Sequence, residues 1–218
     1  MGISPLPPLT PRKSPRQDRA VATLDAIFEA TIQVLLSDGL IRLTTTRVAR
    51  RAGVSVGTLY QYFPNKQALL FAVMERYLAM LSGAIEEACA QNLGAKVEGI
   101  AETVVKAYLE AKMDQAEVSP SLYRIALELD ARELIEAASR RSAKAIGAVL
   151  STAVDGRFAN PALLAQTLTA ALYGTLPAFC HLVLSPADGR EAQKQLTIMF
   201  RSYLASHQNG GLSADAAP

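Results

Sequence analysis

The residues with the most telling chemistry sit within LTTTRVARRAGVSVGTLYQYF, residues 43–63. The amide of Gln61 can pair with N6 and N7 of adenine in one bidentate contact, and Val56 or the methyl of Thr58 can meet a thymine methyl. Gly57 has no side chain to hold the backbone off a surface. This is the chemistry of reading base edges, with Gln61 as the leading specificity residue. Bond-making chemistry has no counterpart. The chain has two histidines and two cysteines, and no Ser-His-Asp set, E-x-x-H pair or glycine-rich phosphate loop can be assembled from the sequence. Cys89 and Cys180 stand far apart without C-x-x-C or Cys/His spacing. Neither a metal site nor a disulfide framework is expected. No catalytic residue and no cofactor is called for, and a reducing cytoplasm is the simplest setting.

Two short helices must present those side chains. Thr44 can cap the first, in which Val48, Ala49 and Ala52 face inward, and Gly53 ends it. Ser55 caps the second, whose buried face is Leu59 and Phe63, four residues apart. Joined by Ala52-Gly53-Val54-Ser55, they make a helix-turn-helix. With Leu59 and Phe63 holding the second helix from behind, Val56, Gly57, Thr58, Gln61 and Tyr62 are left for DNA. Tyr60 and Tyr62 flank Gln61 and cannot both face inward. Thr44 reads as a plain cap, Ser55 as either a cap or a DNA ligand, and Arg50 and Arg51 as solvating the back of their helix. A helix over 17–37 precedes the pair, with Val21, Leu24, Phe28, Thr31 and Leu35 at helical spacing and Gly39 as a left-handed cap. After Pro64 a long helix runs to about Ala90.

The net charge of +2 hides an asymmetry. Residues 1–66 hold nine Lys/Arg and four acids, a balance of +5, whereas the remainder holds 13 and 16, a balance of −3. This suggests a basic binding head on a mildly acidic body. Five of the eleven prolines fall within the first fifteen residues, so residues 1–16 read as a disordered basic arm, without the apolar core of a signal peptide. Residues 208–218 read as a disordered tail. Between them the pattern is helical, rich in Ala and without alternating β-branched runs, so the chain is expected to be all-α. No Asp, Glu, Lys or Arg occurs over 158–187, a span longer than the roughly 20 residues that cross a bilayer. Asn160, Pro161, Gln166, Thr167, Thr169, Gly174, Thr175, Pro177 and His181 interrupt it. It reads as a buried or interfacial helix, with no membrane partner.

In order along the chain come Thr44-Thr45-Thr46-Arg47-Val48-Ala49, Ala52-Gly53-Val54-Ser55, Gly57-Thr58-Leu59-Tyr60, Tyr62-Phe63-Pro64-Asn65-Lys66 and Ala68-Leu69-Leu70. With the helix ahead of Gly39, this series resembles the N-terminal domain of the TetR family of transcriptional regulators. The resemblance implies a three-helix helix-turn-helix DNA-binding domain over 17–66 and a larger helical effector-binding and dimerisation domain over 67–207. It implies phosphate contacts at Thr45, Thr46, Arg47, Tyr60 and Lys66, which with Ser55, Val56, Gly57, Thr58, Gln61 and Tyr62 complete the DNA-facing set. The function implied is a homodimeric repressor, released from operator DNA by a small, largely apolar effector. Its last two long helices would pair with their mates as a four-helix bundle, where Ala162, Ala165, Thr169 and Gly174 allow close approach. Candidates for the effector pocket are Tyr108, Met113, Tyr123, Phe179, Cys180 and His181, each of which can equally be core packing, and Pro177 would kink its helix.

Two other classes compete. An all-helical small-molecule-binding protein or enzyme without DNA binding would need a polar constellation that the sequence lacks. A membrane-associated protein built on 158–187 would fail to dissolve without detergent.

Overall fold

A computed structural model of the chain describes residues 15–174 and 186–208. Among the described residues there are nine α-helices and no strand: α1 (Pro15–Arg42), α2 (Thr45–Ala52), α3 (Val56–Tyr62), α4 (Lys66–Gln91), α5 (Val97–Met113), α6 (Ser119–Glu128), α7 (Arg132–Ser151), α8 (Pro161–Gly174) and α9 (Pro186–His207). They divide into two compact units, Met1–Lys66 and Gln67–Pro218.

In the first unit α1 packs on α2 and α2 on α3. The buried stripe of α1 is Ile27, Ala30, Thr31, Val34 and Leu35, the i, i+3, i+4, i+7, i+8 face of a helix. This corrects the expected stripe: Val21 is exposed, while Leu24 and Phe28 are half-buried. Thr31 is buried at no polar cost, because its hydroxyl donates to Ile27 O at 2.7 Å. Gly39 breaks α1 with φ 74° and ψ 169°. Its φ is positive as expected, but its ψ is extended rather than left-handed helical, a combination open in practice only to glycine. The turn that follows buries Leu40 and Leu43 and leaves Ile41 and Arg42 outside. The rest of this core is Val48, Ala49, Leu59 and Phe63, closed by an edge-to-face contact of Phe28 on Phe63 at 5.8 Å.

The second unit is a bundle in which α7 packs on α8, α5 on α9 and α5 on α7. Lys96 offers α5 no side-chain cap. The first amide of the helix, Val97 N–H, donates instead to the Asp155 carboxylate in the α7–α8 connection, at 2.8 Å. A carboxylate there also suits the positive end of the helix. The inner face of α8 is Leu164, Ala165, Leu168, Thr169, Leu172 and Tyr173. Ala165 and Thr169 are therefore fully buried within their own chain, which corrects their assignment to a dimer interface. Their small size lets α8 approach α7, where a Cβ on Gly147 would lie 3.6 Å from the Ala165 Cβ. Ala162 and Gly174 are exposed. By length and composition α1 and α4 could cross a membrane, yet α4 buries eleven residues in this fold.

Candidate nucleic-acid interface

The helix-turn-helix is held by local chemistry. Thr44 Oγ1 accepts from Arg47 N–H at 3.3 Å, and Ser55 Oγ accepts from Thr58 N–H at 2.9 Å, so each caps its helix. Gly53 takes φ 69° and ψ 24° at the C-cap of α2, donating its N–H to Ala49 O and Arg50 O. This left-handed turn sets the angle at which α3 leaves α2. Leu59 is wholly buried and Phe63 is 7% exposed.

Several of the sequence candidates share one outward surface. Gly57, Tyr60 and Gln61 are exposed on α3, with Val56, Thr58 and Tyr62 half-buried beside them. The two tyrosines separate: Tyr60 is 47% exposed, whereas the Tyr62 ring lies 6.5 Å from that of Phe63. The Gln61 side chain makes no hydrogen bond among the described residues, so its amide keeps its donors and acceptor for a partner. Thr58 Oγ1 lies 2.8 Å from Ser55 Oγ, which leaves the methyl as its free chemistry. The Tyr60 hydroxyl meets Thr45 Oγ1 at 3.2 Å, linking the first turn of α2 to the last turn of α3. Two hydroxyls and the free amides at the start of α2 thus converge where an anionic oxygen would be welcome.

The cations are arranged differently from the sequence expectation. Arg47 forms an ion pair with Asp38, Nη1 to Oδ2 at 2.6 Å. Arg51 Nε donates to Gln33 Oε1 at 2.6 Å, and Gln33 in turn donates to Glu29 at 2.8 Å. Both arginines brace α2 against α1, so Arg51 does more than solvate the back of its helix. Lys66 Nζ donates to Leu40 O at 3.1 Å, tying the start of α4 to the turn before α2. No local spacing announces these partners, which lie 9, 18 and 26 residues away.

Three of the pocket candidates fall among the described residues. Tyr108 is completely buried, its hydroxyl donating to Leu172 O at 3.0 Å and its ring 5.7 Å from Tyr173. Met113 is half-buried, its sulfur 3.2 Å from where a Cβ on Gly189 would stand. Tyr123 is half-buried on α6. Phe179, Cys180 and His181 lie outside the described residues, as does Pro177. A groove of 540 Å³ between α7 and α8, lined by Arg140, Lys144, Gly147, Ala162 and Gln166 among others, includes none of the candidates. Neither does a cleft of 180 Å³ between α4 and α7. Beside that cleft Glu86 takes both ends of the Arg141 guanidinium, at 3.0 and 2.5 Å. Ser142 and the Tyr173 hydroxyl pair at 3.1 Å, and burial raises the Tyr173 phenol above its ordinary range. Burial, reinforced by the charge of Glu86, pushes the Cys89 thiol up to about 12, so it stays protonated and unreactive.

Fold and surface together define a two-unit, all-α protein of the helix-turn-helix class. The profile "Bacterial regulatory proteins, tetR family" matches residues 27–73, and "Tetracyclin repressor-like, C-terminal domain" matches 98–204. The chain belongs to the TetR family: it is a DNA-binding transcriptional regulator and not an enzyme. It is 37% identical over 100 residues to the nucleoid occlusion factor SlmA of Actinobacillus pleuropneumoniae, a match over 45% of this chain and 46% of that relative. The chain thus spans less than half the length of that relative. Over 166 residues it is 28% identical to the HTH-type transcriptional regulator BetI of Escherichia coli, covering 65% of this chain and 83% of BetI. The crystal structure of a putative TetR-family transcriptional regulator from Mesorhizobium loti superposes with a TM-score of 0.72 at 16% identity, over 87% of this chain and 98% of that one.

Proposed function

We propose that the chain is a homodimeric repressor that reads an inverted-repeat operator with α3 and leaves it when a small, largely apolar effector binds the second unit. The observation that carries the DNA reading is the division of α3 into two faces. Leu59 is wholly buried, whereas Gly57, Tyr60 and Gln61 are exposed. Base contacts then fall to Gln61, Gly57, Val56, the Thr58 methyl and Tyr62. Phosphate contacts fall to Thr45, Thr46 and Tyr60, with Lys66 able to add two further N–H donors beyond the one it gives to Leu40 O. Ser55 and Arg47 are primarily a cap and a brace, each with donor capacity left over for a phosphate.

One such head makes few contacts, and helix-turn-helix proteins ordinarily place two of them on successive major grooves, about 34–36 Å apart. The exposed apolar residues on α8 and α9 favour a dimer through these helices: Leu163 is 55% exposed, Ile198 50% and Met199 43%. Ala162 and Gly174, both exposed, can join that surface. Release follows from an effector that prefers a different arrangement of the helical unit, felt at the DNA-binding unit through α4, whose first residue is Lys66. A preference of about 3 kcal/mol lowers operator affinity roughly 150-fold. The test is titration of a duplex selected from a random library, at fixed salt, with and without a compound that raises the chain's Tm. Tight dimeric binding that weakens with the compound supports the reading. Equal affinities in the two arms would sink release by that compound, and no preference for the selected duplex would sink the operator itself.

A further inference from the structure

The basic residues of the first unit fall into two groups. Arg47, Arg51 and Lys66 are engaged within the chain, to Asp38, Gln33 and Leu40 O. Arg42 and Arg50 are exposed, and among the described residues neither guanidinium makes a hydrogen bond or ion pair. A cation that does not brace the fold contributes nothing to it beyond solubility, and is available in full to a polyanion.

Their positions bear on the same partner. Arg50 follows exposed Thr46 by four residues on α2, so the two stand one above the other on a flank about 100° round from the one that Arg47 and Arg51 turn to α1. Arg42 belongs to the turn of residues 40–43, in which Leu40 and Leu43 point inward and Ile41, 84% exposed, points out. The Leu40 carbonyl of that turn also receives the Lys66 ammonium. Arg42 therefore lies on the approach to the first turn of α2, and Arg50 lies one turn beyond it.

We propose that Arg42 and Arg50 are phosphate-binding residues that bracket the start of α2 and widen the DNA footprint beyond α3. This rests on the DNA-binding reading above and deepens it. Phosphate contacts fix register and supply affinity without carrying sequence information. Each also releases counterions, lowering log K by about 0.9 per decade of salt.

The test uses the full chain as a dimer, a duplex of about 30 base pairs selected from a random library, and a random duplex of equal length, titrated between about 50 and 200 mM salt. Arg42→Ala and Arg50→Ala should each flatten the salt slope by roughly 1.8, one contact per protomer, and leave the ratio of selected to random affinity unchanged. Arg42→Lys and Arg50→Lys should restore most of the slope. Arg51→Ala, which removes the bond to Gln33, should lower the Tm and spare the slope. Wild-type slopes in both alanine variants overturn the proposal, as does a loss of affinity without a change of slope. If the wild-type chain shows no salt-dependent affinity for either duplex, the DNA-binding reading itself fails, and this one with it.

Discussion

Replacing Lys66 by Met keeps most of the side chain's apolar length and deletes the ammonium, so it separates the two tasks assigned to this residue. In the free chain Nζ donates to Leu40 O at 3.1 Å from a partly buried position. That carbonyl also accepts from Leu43 N–H at 3.3 Å, so the variant loses one charged hydrogen bond without orphaning the acceptor. The expected loss is about 1.5–2 kcal/mol, the lower part of the range for charged bonds. For a chain of this size that corresponds to a fall in Tm of roughly 3–8 °C. The ammonium has two further N–H groups for a phosphate, so the same substitution should also flatten the salt slope of operator binding by about 1.8 per dimer. Differential scanning calorimetry reads the first effect and titration at several salt concentrations the second. An unchanged Tm would refute the bond to Leu40, and an unchanged slope would reduce Lys66 to a brace.

Gln61→Ala should leave the Tm in place, cost about 1–3 kcal/mol in operator binding and relax specificity at one base pair per half-site, measurable by competition among single-substitution duplexes. Gly53→Ala should cost about 1–2 kcal/mol of stability through its left-handed backbone alone, since an added Cβ would meet nothing within 4 Å; a melt at the wild-type temperature would contradict this. The neutral Cys89 thiol contributes stability that is whole below pH 9.0 and fades as pH rises toward about 12. Cys89→Ala should therefore show a shallower alkaline decline in Tm than the wild type. Ile198→Glu should convert the dimer to a monomer in sedimentation velocity, and a persistent dimer would place the interface elsewhere.

What could be read from the sequence divides along the range of the forces involved. Thr44, Ser55 and Gly53 act on amides and carbonyls three or four residues away, so the caps and the turn of the helix-turn-helix are legible from spacing alone. The all-α class follows from the same local patterns. Tertiary partners are not legible in that way. Arg47 looks like a free phosphate ligand until Asp38 is seen against it at 2.6 Å, and Arg42 attracts no notice until the other cations are found occupied. Periodicity alone allows a step of either three or four residues back from Thr31, so the expected stripe on α1 runs back to Phe28, whereas the buried face continues through Ile27. On α8 the small residues Ala165 and Thr169 suit any close helix contact. Only their complete burial within the chain, with Gly147 of α7 set against Ala165, shows that this contact is internal.

Sequence reading by α3 shows in the ratio of affinities for a selected duplex and a random one, both measured at the same physiological salt. A regulator that discriminates base edges should show a ratio of at least about 1,000, and Gln61→Ala should lower it without changing the affinity for the random duplex. Equal affinity for both duplexes in the wild-type dimer would mean that α3 does not read sequence.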